Sequence, residues 1–267
     1  MIQSLFQRFN WKDGLLALIV PLLVLVVWQS AVSMHLFSPL LLIPPLTLVN
    51  TLLYLASSGD LTINIIASLN RVLIGFLIGA STGFLLGLFM GLSPFVDRFF
   101  GPVIKAFKQV PQFALMPLII LWFGVDELAK FVFIGIGAFF PMVFNTYQGV
   151  CDVPKKYCEL ARVFNYNGCH YLSKVIMQSA MTSIITGIRF SLGLSWMLVV
   201  GAEIFGADTG LGYMMACSRN MFQIDIVMAG LVVIGAIGFG INLVLQIIEK
   251  RVLRWRITSD QGAKGNS

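Results

Sequence analysis

The feature that most narrows the fold is a succession of long apolar runs, at residues 14–34, 68–92, 110–124, 131–150, 182–203 and 226–248, separated by polar stretches. A helix needs about 20 mostly apolar residues to cross the hydrocarbon layer of a bilayer, and these runs meet or approach that length. At 58% hydrophobic and 11% charged residues, with a mean hydropathy of +0.88, the 267-residue chain carries more apolar surface than one soluble core can hide. A membrane β-barrel would show short alternating segments instead, and that pattern is missing from the sequence. The sequence therefore predicts an all-α integral membrane protein with about six transmembrane helices. The first run leads on without a small-residue cleavage pattern, so it is expected to be retained as a span.

Prolines mark where the runs are interrupted. Pro44 and Pro45 break the apolar stretch after the first span and leave a short helix over about 45–56. Leu46, Val49, Leu52, Leu53 and Ala56 fall on one of its faces, which suits a helix lying along the membrane surface. The run at 110–124 is short and contains Pro111 and Pro117. It is counted as a span because otherwise the long polar stretch that follows would lie on the opposite side from Arg8 and Lys12. Asp126 is placed to cap the next helix.

The formal charge of +6 reads as topology. Arg8, Lys12, Arg98, Lys105, Lys108, Lys155, Lys156, Arg162, Lys174, Lys250, Arg251, Arg254, Arg256 and Lys264 fall on one side. Lys130 and Arg219 fall in the opposite loops, and Arg71 and Arg189 are at or within spans. Such an excess predicts a multi-pass protein with both termini in the cytoplasm. It removes nucleic acid as a partner and leaves membrane lipid.

Two patterns lie inside the spans. Gly75, Gly79, Gly83, Gly87 and Gly91 recur every fourth residue, lining one helix face with bare backbone. A stripe of this kind lets a second helix approach closely, either as fixed packing within one subunit or as a seam that slides. In the fifth span Thr186, Arg189, Gly193, Trp196, Val200 and Glu203 step by three and four, as the wall of a solute pathway would. Asn242 and Gln246, a turn apart in the sixth span, could face the same interior.

Catalytic chemistry finds little material. The sequence lacks paired histidines, HExxH, GxSxG and the phosphate-cradling GxxxxGK[ST], so it is expected to be a non-enzyme with no ATPase site of its own. His35 and His170 are isolated. Cys151, Cys158 and Cys169 fall in the polar stretch and Cys217 in a later loop; with His170 their spacing matches no common zinc pattern, so free thiols and no metal are expected.

The longest polar interruption, 151–189, carries Lys155, Lys156, Arg162 and Lys174 against Asp152 and Glu159, yet keeps helical periodicity. Leu172, Val175, Ile176 and Ser179 form one side of a second short helix that follows a first around Glu159. A helix–turn–helix of this type suits a docking surface for a cytosolic partner.

Glu159-Leu160-Ala161, Val175-Ile176 and Gly187-Ile188-Arg189 together resemble the "EAA" loop of inner-membrane permeases of binding-protein-dependent ABC importers. Ser68-Leu69-Asn70-Arg71, the block PQFALMPLIILWFG at 111–124, Asn145-Thr146-Tyr147 and Gly210-Leu211-Gly212-Tyr213 are similar to the nitrate/sulfonate/taurine group of those permeases. The likeness covers about residues 61–256. Asn165 stands where the family's loop has glycine, and Gln178 where it has proline.

The resemblance implies a type I ABC importer permease fold with a cytosolic coupling loop at about 151–181, in a permease core at 61–256. Residues 1–60 would form an N-terminal span with a periplasmic surface helix, and 257–267 a flexible cytoplasmic tail. It implies inward transport by alternating access, of a small sulfonate, taurine, nitrate or similar anion, at the bacterial inner membrane. Glu159, Leu160, Ala161, Asn165, Val175, Ile176 and Gln178 would couple to the ATPase. The implied partners are a second permease subunit, in a homodimer, two cytosolic ATPase subunits holding the ATP and Mg, and a periplasmic or lipid-anchored substrate-binding protein. No cofactor is expected in this chain. The alternatives are an ABC importer of the same type for a vitamin precursor, or a secondary transporter, which would need internal repeats and midplane charges.

Overall fold

The computed structural model describes residues 11–34 and 43–253. Arg8, His35, Arg254, Arg256, Lys264 and the tail at 257–267 lie outside the described residues. Every regular element among those described is helical. Among the described residues, four helices are long and apolar enough to cross a bilayer, and a fifth candidate is a pair of shorter helices bent by 93°. The chain divides into two compact units, one of the residues up to Thr62 with Met214–Val232, the other of Ile63–Tyr213 with the residues from Val233 on.

The first unit holds α1 (Trp11–Ser33), of 23 residues, and α2 (Pro45–Ser58). Pro45 opens α2 at a position whose N–H would be unpaired in any case, and Gly59 closes it with a left-handed φ of 86°. Trp28 Nε1 donates to the Ile43 carbonyl at 3.0 Å, and Thr51 Oγ1 to Asp225 Oδ2 at 3.0 Å. The buried face of α2 is Leu48, Thr51 and Leu55. Leu46, Val49 and Leu53, grouped on one face by the sequence, are exposed.

The second unit is built on α3 (Asp60–Leu92), α6 (Glu127–Cys151), α9 (Met177–Gly206) and α11 (Ile224–Val252). Helices α3 and α11 extend into it from the first unit. Between α3 and α6 come α4 (Pro94–Phe107), a 3-10 turn at Gln112–Leu115 and α5 (Met116–Phe123). The expected span at 110–124 is thus not one rod. Eight residues of α5 reach only about 12 Å; Pro111 sits at the bend, which falls between Phe107 and Gln112, and Pro117 lies in the first turn of α5.

Contacts between the long helices fix their directions. On α3, Gly75 faces Ile134, Gly79 faces Gly135, Gly83 faces Phe139, Gly87 faces Val143 and Gly91 faces Val150. The residue numbers climb together, so α3 and α6 run parallel. The glycine stripe is therefore packed on α6 of the same chain. A methyl group on Gly83 would lie 2.6 Å from the Phe139 carbonyl oxygen, too close for any residue but glycine. Helices α6 and α9 run antiparallel: Gly149 meets Ala180, Gly187 meets Asn145, and Ser191 Oγ donates to the Ala138 carbonyl at 2.7 Å. Because α3 and α6 point the same way, the bent segment between them must carry the chain back to the end where α3 began.

The core follows these contacts. Ala80, Leu88, Ala138, Met142, Val150, Ile176, Ala180 and Ile184 form one buried cluster. Met116, Ile119, Ala129, Phe133, Leu198 and Ala202 form another toward the opposite end. Helix α4 turns Gly101 and Ile104 inward and leaves Phe95, Phe99, Val103 and Phe107, one turn apart, exposed.

Three local expectations are corrected. Lys130, assigned to a loop, lies in the first turn of α6 and is 4% exposed. Asp126 stands at the N-cap of α6 but its side chain makes no capping bond. Cys217 lies on a helix, α10 (Leu211–Asn220), rather than in a loop; the glycine-bearing sequence around it had masked the helix.

Candidate functional site

At one end of the second unit α6 gives way to α7 (Lys155–Val163), a turn, and α8 (Gly168–Tyr171). The turn hinges on Asn165, whose φ of 50° lies in the left-handed region that asparagine tolerates better than most residues. Asn167 then caps α8, its side-chain oxygen accepting the His170 N–H at 3.1 Å. The second short helix of the sequence reading is in fact continuous with the span. Helix α8, a π-helical segment at Leu172–Ile176 and α9 form one rod, Gly168–Gly206, of 39 residues.

An open cleft of about 800 Å³ lies between α7 and the start of this rod. Leu160 and Ala161 line it from α7, and Val175 and Gln178 from the rod. The fold thus gathers four of the seven coupling candidates. Glu159 and Asn165 are exposed near it, whereas Ile176 points into the buried cluster and is 4% exposed. Sequence reasoning missed Tyr157, Phe164, Tyr166 and Lys174, which also line the cleft. For the three aromatic residues the signal was their bracketing of Glu159-Leu160-Ala161, with Val163 and Phe164 adding exposed apolar surface beside them.

The pathway candidates on α9 do not share one open face. Thr186 Oγ1 donates to the Thr182 carbonyl at 2.9 Å. Arg189 is held by α11 of the same chain, donating to Glu249 Oε2 at 2.8 Å and Asn242 Oδ1 at 3.2 Å. Gly193 borders open space. Trp196 is buried and donates to the Ile234 carbonyl at 3.2 Å. Glu203 is sealed inside at 1% exposure.

Glu203 belongs to a polar cluster at the end opposite the cleft, with Arg71 at its centre. A guanidinium has five N–H donors, and Arg71 uses five. Nε and Nη2 grip Glu127 at 2.8 and 2.7 Å; Nη1 reaches Glu203 Oε1 at 2.9 Å and the Thr209 carbonyl at 2.6 Å; Nη2 also reaches Thr209 Oγ1 at 3.1 Å. Glu203 further accepts from Ser68 Oγ at 2.7 Å and from the Gly212 N–H at 2.8 Å. Lys130 Nζ lies 3.1 Å from Glu127 Oε1. Two cations face two anions, so the cluster is formally neutral. That balance, with every group bonded, is the condition under which buried charge is tolerated. The sequence reading placed Arg71 in a span without its partners, which lie 56 and 132 residues away.

The profile of the family described as "Binding-protein-dependent transport system inner membrane component" matches residues 75–254. The chain belongs to this family. Over 250 residues the permease is 36% identical to SsuC of Bacillus subtilis (strain 168), a protein named for aliphatic sulfonates transport, covering 94% of this chain and 90% of that one. It is 32% identical to the taurine transport system permease protein TauC of Escherichia coli (strain K12), covering 93% and 94%. To the nitrate import permease protein NrtB of Leptolyngbya laminosa it is 30% identical, covering 71% and 68%. Among solved structures the permease is similar to a chain of the MetNI methionine ABC transporter in inward facing conformations. The TM-score is 0.58 at 16% identity, covering 72% of this chain and 95% of that one. The fold is that of a type I ABC importer permease.

Proposed function

We propose that this permease moves a small sulfonate, taurine, nitrate or similar anion inward by alternating access, driven by a separate ATPase. The observation that carries the solute class is the set of relatives named for sulfonates, taurine and nitrate, matched over most of the chain. The observation that supports coupling is the open cleft at one end of an otherwise tightly packed unit. The loop at 151–181 is the part an ATPase grips, with Leu160, Ala161, Val175 and Gln178 on the cleft and Glu159 and Asn165 beside it. Ile176 contributes from behind, by anchoring the rod.

Charge supports the sidedness. Arg98, Lys105, Lys108, Lys155, Lys156, Lys174, Lys250 and Arg251 all belong to the end that carries the cleft. At the other end Arg71 and Lys130 are locked in ion pairs. The positive-inside rule sets the cleft end and both termini in the cytoplasm of a bacterial inner membrane. The partners in this reading are a second copy of the permease, two ATPase subunits that hold ATP and Mg, and a substrate-binding protein on the other face. Residues 61–256 form the permease core. Arg189 already has a carboxylate partner, so solute selectivity rests chiefly on the binding protein.

The test is uptake into proteoliposomes holding the permease with its ATPase and binding protein, using labelled taurine and nitrate. Uptake is expected only with ATP. Uptake that persists without ATP and collapses with a protonophore would establish a secondary transporter instead.

A further inference from the structure

The loop that joins α9 to α10 has no regular structure, yet its backbone is held on every side. Asn64 Oδ1 accepts the Gly210 N–H at 2.7 Å, Ser68 Oγ accepts the Leu211 N–H at 3.0 Å, and Glu203 Oε2 accepts the Gly212 N–H at 2.8 Å. Arg71 donates to both oxygens of Thr209. Asn64, Ser68 and Arg71 are spaced by four and three residues, so a single face of α3 presents all three. Gly210 has a φ of 116°, and any side chain there would collide with the Glu203 carboxylate. A methyl group on Gly212 would collide with the Val200 carbonyl.

We propose that Arg71 is a positioning residue, which holds the loop at 207–210 and the first residues of α10 in one shape and joins the adjoining ends of α3, α6 and α9 into a block that moves as one. The same geometry excludes a solute-binding role. All five donors are occupied, and the Glu203 side chain has no exposed surface, so an arriving anion would have to displace a carboxylate. The glycine seam points the same way. With Gly79, Gly83 and Gly87 against the backbone of α6, and Gly75 and Gly91 against the side chains of Ile134 and Val150, α3 and α6 have no spare space in which to slide. Transport by this block would therefore require that motion imposed at the cleft arrive at the far end as rotation of the whole.

Arg71→Lys separates positioning from charge balance, because lysine keeps the charge but has three donors in place of the planar five. Hydrogen exchange of the intact permease complex reads the clasp directly. In Arg71→Lys the amides of Gly210, Leu211 and Gly212 are expected to exchange about a hundredfold faster, with those at 168–180 unchanged. The uptake rate per folded molecule is expected to fall about tenfold at an unchanged half-saturating solute concentration. Native exchange and native rate in Arg71→Lys would overturn the proposal and leave Arg71 a mere counter-charge. If that variant fails to fold, Thr209→Val removes one Arg71 acceptor and keeps the ion pairs. Faster exchange at 210–212 would support the clasp, and native exchange there would overturn it. The uptake arm rests on the transport reading. A wild-type complex without ATP-dependent uptake would sink that reading, while the exchange arm would still decide the clasp.

Discussion

The two ends of the second unit solve opposite problems with similar residues. At the Arg71 end Arg71, Lys130, Ser68 and Glu203 are buried and paired, Glu127 joins them from a half-exposed position, and the loop they hold has its amides bonded to side chains. At the Asn165 end comparable groups stand exposed around an open cleft, and the turn is held mainly by its own backbone, with Tyr166 N donating to the Ala161 carbonyl at 3.0 Å. Saturated hydrogen-bond capacity leaves nothing for a partner to read, whereas exposed apolar and polar groups beside a cleft leave much. One end is built to keep its shape, and the other to be gripped.

Substitutions that remove a buried charge should break this contrast most severely. Glu203→Ala removes the buried carboxylate partner of Arg71 Nη1 and leaves the Gly212 N–H without its acceptor, at a cost of about 3–5 kcal/mol. It is expected to leave little folded protein in the membrane, measured by its yield and thermal unfolding in detergent. Next, Gly79→Leu drives a side chain into the Gly135 backbone. Overpacking costs about 1–3 kcal/mol where side chains can shift, and backbone yields less readily, so the upper part of that range is expected. At the cleft end the effect should move from folding to coupling. Leu160→Glu, at a half-exposed position, is expected to change stability by less than about 0.5 kcal/mol while abolishing ATPase co-purification and uptake. Retained co-purification and uptake would remove the cleft from the coupling path. Asn165→Val places a β-branched residue at positive φ, which costs about 1–2 kcal/mol locally, while Asn165→Gly should be neutral; loop exchange rates distinguish them. A small effect is expected from Arg189→Gln, whose ion pair is partly exposed and contributes about 1 kcal/mol or less.

The sequence revealed membrane spans, the glycine stripe and the docking stretch because each is a local pattern. It could not reveal Arg71 with Glu203, since the pairing depends on the parallel packing of α3 on α6 and the return of α9 beside them. Nor could apolar periodicity tell which face of α2 is covered. In a bilayer a face toward lipid is as apolar as one toward protein, so Leu46 and Leu48 look alike in sequence and differ only in the fold. The neighbours of the α9 stripe were hidden for a related reason. Spacing by three and four drifts around a 3.6-residue helix, so Thr186 and Glu203 end against different neighbours. The bend between Phe107 and Gln112 was half legible, with Pro111 marking a break but not its angle.

The parallel glycine seam has a consequence for biogenesis. Glycines on α3 can meet the small and branched residues of α6 in register only if α6 enters the bilayer in the same direction as α3. The short proline-broken helices between them must therefore thread back completely before the seam can close. A chain in which they failed to return would present α6 upside down, with the stripe unmatched and Glu127 at the wrong end for Arg71. Closure of the seam and the Arg71–Glu127 ion pair therefore depend on the same insertion direction of α6.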